Sequence, residues 1–201
     1  MIAIIDYGAG NLQSVAKAFH FIGSDAKIVK LPEQLNDADM AVLPGVGSFG
    51  DSMECLQRSG LIDPILRFIS SGKPFLGICL GLQLLFEESE ESPGIKGLGI
   101  FKGKICQIPA NNGLKIPHMG WNSLEVKKFD GILKGLPSNP YVYFVHSFYL
   151  KAQDQSIVSS TTEYGVTIDA SIQWKNLFAT QFHPEKSGEV GLKMLRNFVS
   201  L

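Results

Sequence analysis

Cysteine is scarce in this sequence, and its three copies lie far apart. Cys55, Cys79 and Cys106 are an odd number of thiols without close cysteine neighbours, which argues against a disulfide framework. No cluster of Cys and His has the spacing of metal ligands, so we expect neither a metal site nor a bound cofactor. The sequence therefore predicts a cytoplasmic protein with reduced thiols, which raises the question of whether one of them is catalytic.

Long apolar runs and an excess of charge of one sign are also missing. The N-terminal apolar run Ile2–Ile5 ends at Asp6 and has no basic segment before it, unlike a signal peptide. No stretch approaches the length of a membrane span. The formal net charge is −1, with Lys and Arg scattered, so nothing favours nucleic acid or an anionic membrane. The 201 residues are 45% hydrophobic and 18% charged, which predicts a compact globular chain.

The two halves of the chain differ in their hydrophobic patterns. In the first half, short apolar runs alternate with helical patterns, as in Pro74–Ile78 followed by a helix predicted over Leu80–Glu88. A further helix is predicted over Asp51–Ser71, with a break at Gly60. Fully apolar strands separated by helices predict a parallel sheet covered on both faces.

The second half is rich in β-branched and aromatic residues and predicts antiparallel strands. These segments are Lys104–Ile108, Lys115–Val126, Tyr141–Leu150, Ser156–Thr161, Ala170–Trp174 and Leu177–Gln181. A last helix is predicted at Gly188–Ser200, with its apolar residues on one face. We therefore predict one α/β domain over residues 1–201, with a mixed, mainly parallel central sheet flanked by helices and an antiparallel C-terminal half.

The strongest local pattern surrounds Cys79. The segment Gly77-Ile78-Cys79-Leu80-Gly81 follows an apolar run and precedes a predicted helix. This context is typical of a nucleophile elbow, in which glycines remove Cβ atoms where backbones approach. An ordinary buried cysteine is the alternative, since free cysteine is often buried. An elbow would place the sulfur above the carboxyl end of the sheet, and the N-terminus of the next helix would favour the thiolate.

A catalytic thiol needs a base, and the base needs an orienting group. His183 follows the predicted strand Leu177–Gln181, and Pro184 biases it toward an extended backbone. Glu185, two residues further on, would then point the same way and fix the imidazole tautomer. A surface His beside a surface Glu is the alternative interpretation. His146 lies within a predicted strand and is either structural or substrate-facing.

Two other segments carry weaker signals. Leu43–Gly47 is a strand end followed by a Pro/Gly loop, which predicts a second oxyanion donor or an ordinary turn. The acidic run Glu87–Glu91 predicts a solvated surface at a helix exit.

Taken together, these residues resemble the class I, triad-type glutamine amidotransferases. The resemblance rests first on Gly77-Ile-Cys79-Leu-Gly81-Leu-Gln83 and His183-Pro-Glu185. Further segments are similar to the glutaminase subunits of imidazole glycerol phosphate synthases in histidine biosynthesis: Asp6-Tyr-Gly-Ala-Gly-Asn11, Pro44-Gly-Val-Gly47-Ser-Phe-Gly50, Pro117-His-Met-Gly-Trp-Asn122, Tyr143-Phe-Val-His-Ser147 and Gln181-Phe-His-Pro-Glu-Lys-Ser187. The match covers nearly the whole chain and implies the flavodoxin-like sheet of that family.

The resemblance implies the chemistry. Cys79 attacks the glutamine carboxamide, His183 protonates the departing ammonia, and water releases glutamate from the thioester. The backbone of Leu80 and of the Val46-Gly47 turn would stabilise the oxyanion. The positions that match those near bound glutamine are Gly45, Gln83, His146, Ser147 and Phe148.

A partner is implied as well. Ammonia would pass to a (β/α)8 cyclase subunit, which forms imidazole glycerol phosphate and an aminoimidazole carboxamide ribotide from its nucleotide substrate. The partner-facing positions implied by the resemblance are Asn11, Trp121, Tyr143 and Lys186.

Three rival interpretations stay open at this point. The chain resembles the glutaminases of anthranilate, aminobenzoate or pyridoxal phosphate synthesis too, although anthranilate-type relatives usually show Pro-Gly-Gly where this chain has Pro44-Gly45-Val46-Gly47. A stand-alone Cys hydrolase with a similar elbow should work without a partner. A non-catalytic subunit is disfavoured by the intact set of Cys79, His183 and Glu185.

Overall fold

The computed structural model describes residues 1–110 and 113–201, which form thirteen strands and five α-helices. The strands are β1 (Ile2–Ile5), β2 (Ala26–Val29), β3 (Met40–Gly45), β4 (Phe75–Cys79), β5 (Phe86–Ser89), β6 (Phe101–Gln107), β7 (His118–Ser123), β8 (Glu125–Val126), β9 (Tyr141–His146), β10 (Phe148–Ala152), β11 (Val158–Glu163), β12 (Thr167–Trp174) and β13 (Leu177–Thr180). The helices are α1 (Leu12–Phe21), α2 (Phe49–Arg58), α3 (Ile62–Ser70), α4 (Leu80–Gln83) and α5 (Gly188–Val199).

The central sheet has eight strands in the order β2-β1-β3-β4-β13-β12-β11-β8. Strands β2, β1, β3, β4 and β13 run parallel to one another. Strands β12, β11 and β8 continue the sheet with antiparallel pairing. Strands β1, β4 and β13 are buried at every residue, because helices cover both faces. The predicted mixed, mainly parallel sheet is therefore confirmed.

Two hydrophobic clusters cover the two faces of this sheet. Leu56 of α2 and Ile65 of α3 lie in one cluster, while Phe19 of α1 and Phe198 of α5 lie in the other. The Phe19 and Phe198 rings contact each other, with centroids 6.3 Å apart. Truncating a fully buried Phe to Ala typically costs about 3–5 kcal/mol of the free energy of unfolding. Between α2 and α3 the chain turns at Gly60, at φ +68°, as the sequence predicts.

The helix predicted over Leu80–Glu88 is wrong beyond Gln83. Helix α4 has one turn, and the chain then forms β5, which pairs in parallel with β6. Leu82, Leu84, Leu85 and Phe86 are fully buried, so this stretch lacks the polar face of a surface helix. Pairing with β6 satisfies the backbone instead.

Two strands predicted as single segments are each divided. The segment Lys115–Val126 splits into β7 and β8, which belong to different sheets, and its first three residues are not in a strand. Tyr141–Leu150 splits at Ser147 into β9, which pairs with β7, and β10, which pairs with β6. Among the described residues, no helix is long and apolar enough to cross a membrane.

Candidate active site

Cys79 occupies a sharp turn between β4 and α4. Its backbone has φ 56° and ψ −109°, a conformation that costs a non-glycine residue about 1–3 kcal/mol. Two close approaches demand the flanking glycines: a Cβ at Gly81 would lie 1.8 Å from the Leu43 carbonyl oxygen, and one at Gly77 would lie 2.9 Å from that of Gly81. The G-x-C-x-G pattern is thus a steric requirement of this turn, and the turn raises the sulfur above the sheet.

His183 and Glu185 lie beside this turn because β13 runs parallel to β4. His183 follows β13 in an extended conformation, with φ −101° and ψ 99°, as Pro184 favours. Its Nδ1 lies 2.7 Å from Glu185 Oε1, and the two side chains expose only 4% and 2% of their surface. Because a carboxylate can only accept, Nδ1 carries a proton, and Nε2 is the nitrogen left for the reaction.

The charge of His183 is set by its neighbours. Burial disfavours the imidazolium, but Cys79 and Glu185 outweigh burial and raise the pKa of His183 to about 10. Its Nε2 is buried and has no partner at hydrogen-bond geometry among residues 1–110 and 113–201. The raised pKa favours the imidazolium form of His183, whose Nε2 proton would then be available for transfer. With only one turn, α4 offers a smaller helix dipole at the thiol than the predicted helix would.

The predicted oxyanion turn follows β3 directly. Gly45 pairs with Cys79 in the sheet register, and a Cβ there would lie 2.8 Å from the Leu80 Cβ. Val46 is 43% exposed, and Gly47 has φ +97° with open space where a Cβ would be. Gly47 is thus required for its backbone conformation, whereas Gly45 is required for space. Leu80 is the first residue of α4, so its N–H has no acceptor within the helix.

A cavity of about 290 Å³ opens above the sulfur. It is lined by ten of the residues predicted from sequence: Val46, Gly47, Cys79, Leu80, Gln83, His146, Ser147, Phe148, His183 and Lys186. Gly45 and Glu185 do not line the cavity, but Gly45 pairs with Cys79 in the sheet and Glu185 hydrogen-bonds to His183. The structure therefore brings the predicted catalytic, oxyanion and substrate-binding residues together in one place.

Sequence reasoning missed Glu91 and Val145, which also line the cavity. The acidic run containing Glu91 is predicted as a solvated surface, and for Glu91 this is wrong: its Oε2 accepts a hydrogen bond from the Phe49 N–H at 2.7 Å. Glu90, in contrast, is exposed and pairs with Lys104 at 3.2 Å. Only the fold brings Glu91 to the cavity, and no pattern in the sequence separates it from its neighbours.

His146 is held neutral in the wall of the cavity. Its Nδ1 lies 2.8 Å from the Phe148 carbonyl oxygen, and its Nε2 lies 3.0 Å from His118 Nδ1. A carbonyl only accepts, so His146 donates from Nδ1 and accepts at Nε2, and His118 donates. Burial lowers the pKa of His146 to about 3 and that of His118 to about 4. His146 thus holds the Phe148 carbonyl through Nδ1, and its Nε2 is already engaged by His118.

The predicted partner-facing residues form an exposed aromatic patch on the β7–β9 ribbon. The Trp121 and Tyr143 rings meet edge to face at 6.1 Å, and Lys186 Nζ lies 5.9 Å from the centre of the Tyr143 ring. Trp121 is 56% exposed, which is unusual for so large an apolar side chain. The backbone of Tyr143 accepts a hydrogen bond from the His183 N–H at 3.0 Å, so this patch is continuous with the segment that carries His183.

Asn11 lies apart from this patch, at the start of α1. Its side chain accepts a hydrogen bond from the Ser14 N–H at 3.4 Å and caps the helix. The preceding Gly10 approaches the carbonyl group of Pro44, so Asn11 shares the edge of the sheet from which the oxyanion turn projects.

Comparison with known proteins supplies a family. The family described as Glutamine amidotransferase class-I matches residues 3–201. The chain is 51% identical to the imidazole glycerol phosphate synthase subunit HisH of Caldanaerobacter subterraneus subsp. tengcongensis, over 98% of this chain and 97% of the relative. It is 52% identical to the subunit of the same name from Methanothermobacter thermautotrophicus, over 100% of this chain and 98% of the relative.

Solved structures of lower identity share the fold. A PurLQS structure from Thermotoga maritima superposes with a TM-score of 0.78 at 22% identity, covering 99% of this chain and 97% of that one. A crystal structure of a glutamine amidotransferase gives a TM-score of 0.77 at 19% identity, with coverage of 99% and 97%.

Proposed function

Because the chain belongs to the class-I glutamine amidotransferases, we propose that it is the glutaminase subunit of an imidazole glycerol phosphate synthase and supplies ammonia for histidine biosynthesis. One observation carries the chemistry: a strained elbow cysteine lies in one cavity with His183, whose ring is held by the buried carboxylate of Glu185. Full-length relatives at about 50% identity bear the name of this subunit, which favours it over the glutaminases of other pathways.

In the proposed reaction, each transferred proton has a donor and an acceptor among these residues, the substrate and water. The Cys79 sulfur attacks the carboxamide carbon of glutamine, and the carbonyl oxygen becomes an oxyanion. His183 donates its Nε2 proton to the amide nitrogen, so the C–N bond breaks and ammonia leaves a glutamyl thioester. The neutral His183 then takes a proton from water, whose oxygen attacks the thioester. The C–S bond breaks, glutamate leaves, and the thiolate and imidazolium are restored.

The oxyanion faces two backbone segments. Leu80 N–H points out of the first turn of α4, and the Val46-Gly47 turn lies across the cavity. Two such donors match the usual oxyanion hole, where one donor contributes about 10²–10³-fold in rate. Because Gly47 adopts a positive φ without steric crowding, rotation of this peptide unit would add or withdraw a donor at low cost.

The rest of the cavity suits the amino-acid end of glutamine. Glu91 offers a carboxylate to the α-ammonium group, which is the one permanent positive charge of the substrate. Gln83 uses both amide hydrogens internally, on Phe148 O and Gln181 Oε1, each at 3.0 Å. Toward substrate it therefore offers only its carbonyl oxygen, while Ser147 and Phe148 line the opposite wall.

The partner is the (β/α)8 cyclase subunit of the synthase. It uses the ammonia and its nucleotide substrate, PRFAR, to form imidazole glycerol phosphate and the aminoimidazole carboxamide ribotide AICAR. We place its docking site on the patch formed by Trp121, Tyr143 and Lys186, because this apolar surface is exposed beside the cavity mouth. Asn11 joins the same edge of the sheet. The proposal includes a cytoplasmic location, as suits an enzyme whose nucleophile is a free thiol.

A glutaminase assay on matched cysteine variants tests the proposal. Cys79→Ala should abolish glutamate release in the presence of the cyclase subunit and its nucleotide ligand, while binding to the cyclase persists. Cys55→Ala and Cys106→Ala are the controls and should retain activity, since both cysteines lie outside the cavity. Trapping of a labelled glutamyl adduct at Cys55 or Cys106 would overturn the assignment.

The same assay without the cyclase distinguishes a synthase subunit from a stand-alone hydrolase. If the partner sets the oxyanion turn, activation should reach at least ~10²-fold. Gly47→Val should blunt this activation while the complex still assembles. Gly72→Val is a matched control, because Gly72 also has a positive φ (+82°) and open space but lies beyond α3. Full activity of the isolated chain, with no response to partner or ligand, would favour the stand-alone hydrolase.

A further inference from the structure

The Cys79 sulfur faces a second side chain besides His183. The Gln181 side-chain amide nitrogen lies 3.7 Å from Sγ, within reach of an N–H···S hydrogen bond. Gln181 is fully buried and Cys79 nearly so. The backbone of Gln181 is fixed as well, because its N–H donates to the Ala170 carbonyl at 2.8 Å. The amide is thus rigidly placed at the nucleophile.

The orientation of this amide follows from its neighbours. The Phe148 carbonyl can only accept, so Gln83, at 3.0 Å, must present its NH2 group there. The second hydrogen of that NH2 group reaches Gln181 Oε1 at 3.0 Å. With its oxygen facing Gln83, Gln181 directs its own NH2 group at Cys79. The Phe148 carbonyl, which can only accept, therefore fixes the orientation of Gln83, and Gln83 in turn fixes the Gln181 NH2 group as the donor to sulfur.

This arrangement is anchored at its far end by two histidines. His146 Nδ1 donates to the same Phe148 carbonyl, and His118 Nδ1 donates to His146 Nε2. Phe148 O thus receives two donors, which is the full capacity of its two lone pairs. A chain of buried hydrogen bonds is stiff, and small displacements at one end are resisted along its length.

We propose that Gln181 is a positioning residue for the nucleophile, donating a hydrogen bond to the Cys79 thiolate and fixing the direction of its attack. The proposal rests on Cys79 being the glutaminase nucleophile. A thiolate is a far better acceptor than a thiol, so the amide favours the reactive form. It acts again when the thioester is hydrolysed, because the departing sulfur regains its negative charge and the same N–H receives it.

The effect of Gln181 on the sulfur can be separated from the effects of the titratable groups around Cys79. His183 faces Cys79 from the segment after β13, and Glu185 acts through His183. Tyr7 approaches from the end of β1, but burial raises its pKa, so it stays neutral across the working range. Gln181 carries no charge itself. Its removal therefore changes the environment of the sulfur without adding or removing an ionic partner.

Alkylation of Cys79 by iodoacetamide at a series of pH values tests the proposal directly. In a Cys55→Ala/Cys106→Ala background, the pH of half-maximal alkylation rate should rise by about one unit in Gln181→Met, as expected when a hydrogen bond to a charged group is lost. Gln181→Glu should raise it further, since a carboxylate then faces the thiolate. Gln173→Met is the matched control and should not shift it, because Gln173 lies opposite Phe178 in β12, one strand further from β4.

Kinetics with the cyclase complex give a second readout. Gln181→Met should lower kcat by about tenfold with little change in KM, because the amide contacts the nucleophile and not glutamine. A change confined to KM, or alkylation profiles identical to wild type in both Gln181 variants, would overturn the proposal. Gln181→Glu keeps the volume and the acceptor for Gln83, so it decides the question if Gln181→Met unfolds. Alkylation does not require glutamine hydrolysis, so a failed glutaminase assignment would appear as a shifted profile without activity.

Discussion

His183 and His146 line the same cavity, yet their pKa values lie on opposite sides of the ordinary histidine value. Burial disfavours the charged form of both rings. In His146 burial dominates, aided by His118 and His183, and the pKa falls to about 3. In His183 the neighbouring Cys79 and Glu185 outweigh burial, and the pKa rises to about 10. The same residue type thus has a lowered pKa in one wall and a raised pKa in the other, according to its ionic partners.

The difference also appears in how each ring is bonded. His146 is occupied at both nitrogens by Phe148 O and His118. His183 is held only through Nδ1, and its Nε2 has no hydrogen-bond partner in the part of the chain that the structure describes. A ring that is satisfied at both ends positions its neighbours, whereas a ring with one buried free end is ready to exchange a proton.

The largest expected effect comes from exchanging the same side chain at these two positions. His183→Gln should lower kcat by at least ~10⁴-fold in the cyclase complex, because the leaving ammonia loses its acid and the thiolate loses its counter-ion. His146→Gln should lower it by about tenfold, since Gln can still donate to Phe148 O and only the bond to His118 is weakened. Steady-state glutamate release measures both.

Equal losses in the two variants would break the comparison, because they would mean that His146 takes part in proton transfer. Binding of the cyclase subunit is the control. It should be unchanged in His146→Gln, whose side chain is buried beneath the ribbon and not in its exposed face.

Much of this site could be predicted from the sequence because its key residues are constrained locally. The glycines around Cys79 follow from a tight turn, and the extended backbone at His183 follows from Pro184. For His146 the sequence left two roles open, structural or substrate-facing, because the role of a histidine ring depends on what the fold places beside it. Glu91 and the short helix α4 depend on β5 pairing with a strand that begins twelve residues after β5 ends, and local patterns carry no signal of that pairing.

Removing the charge of Glu185 tests why the pKa of His183 differs from that of His146. Glu185→Gln keeps a side chain of the same size but withdraws one of the two partners that raise the pKa of His183. We expect kcat to fall, by up to ~10⁴-fold and by less than in His183→Gln, because the carboxylate orients the ring without transferring the proton. The alkaline limb of the rate profile should also move down from about pH 10, since the imidazolium is lost earlier.

A pH–rate profile of wild type and Glu185→Gln measures this shift. Wild-type activity that declines already near pH 6.5 would show that His183 is an ordinary histidine. A Glu185→Gln profile with an unchanged alkaline limb would mean that Cys79 alone holds the charge on the ring.

The smallest expected effect concerns stability and arises from the neutral pair. Burial lowers the folded-state pKa of His118 to about 4 and of His146 to about 3, whereas both should be near 6.5 in the unfolded chain. As pH falls below about 6.5, the unfolded chain therefore binds protons that the folded chain excludes. These two histidines therefore do not lower the free energy of unfolding above about pH 6.5, and they lower it progressively as the pH falls toward 4.

At pH 5 this exclusion costs about 2 kcal/mol for the deeply buried His146, since each pH unit is worth about 1.4 kcal/mol. Between pH 7.5 and pH 5, His146→Gln should thus lose about 2 kcal/mol less of its free energy of unfolding than wild type, as measured in urea.

His183 shifts the other way: its raised pKa contributes stability that is complete below about pH 6.5 and is lost as pH rises toward 10. That contribution is present in both chains and cancels from their difference. Identical losses in the two chains would therefore mean that His146 is protonated as easily in the folded state as in the unfolded chain, and the contrast with His183 would rest on His183 alone.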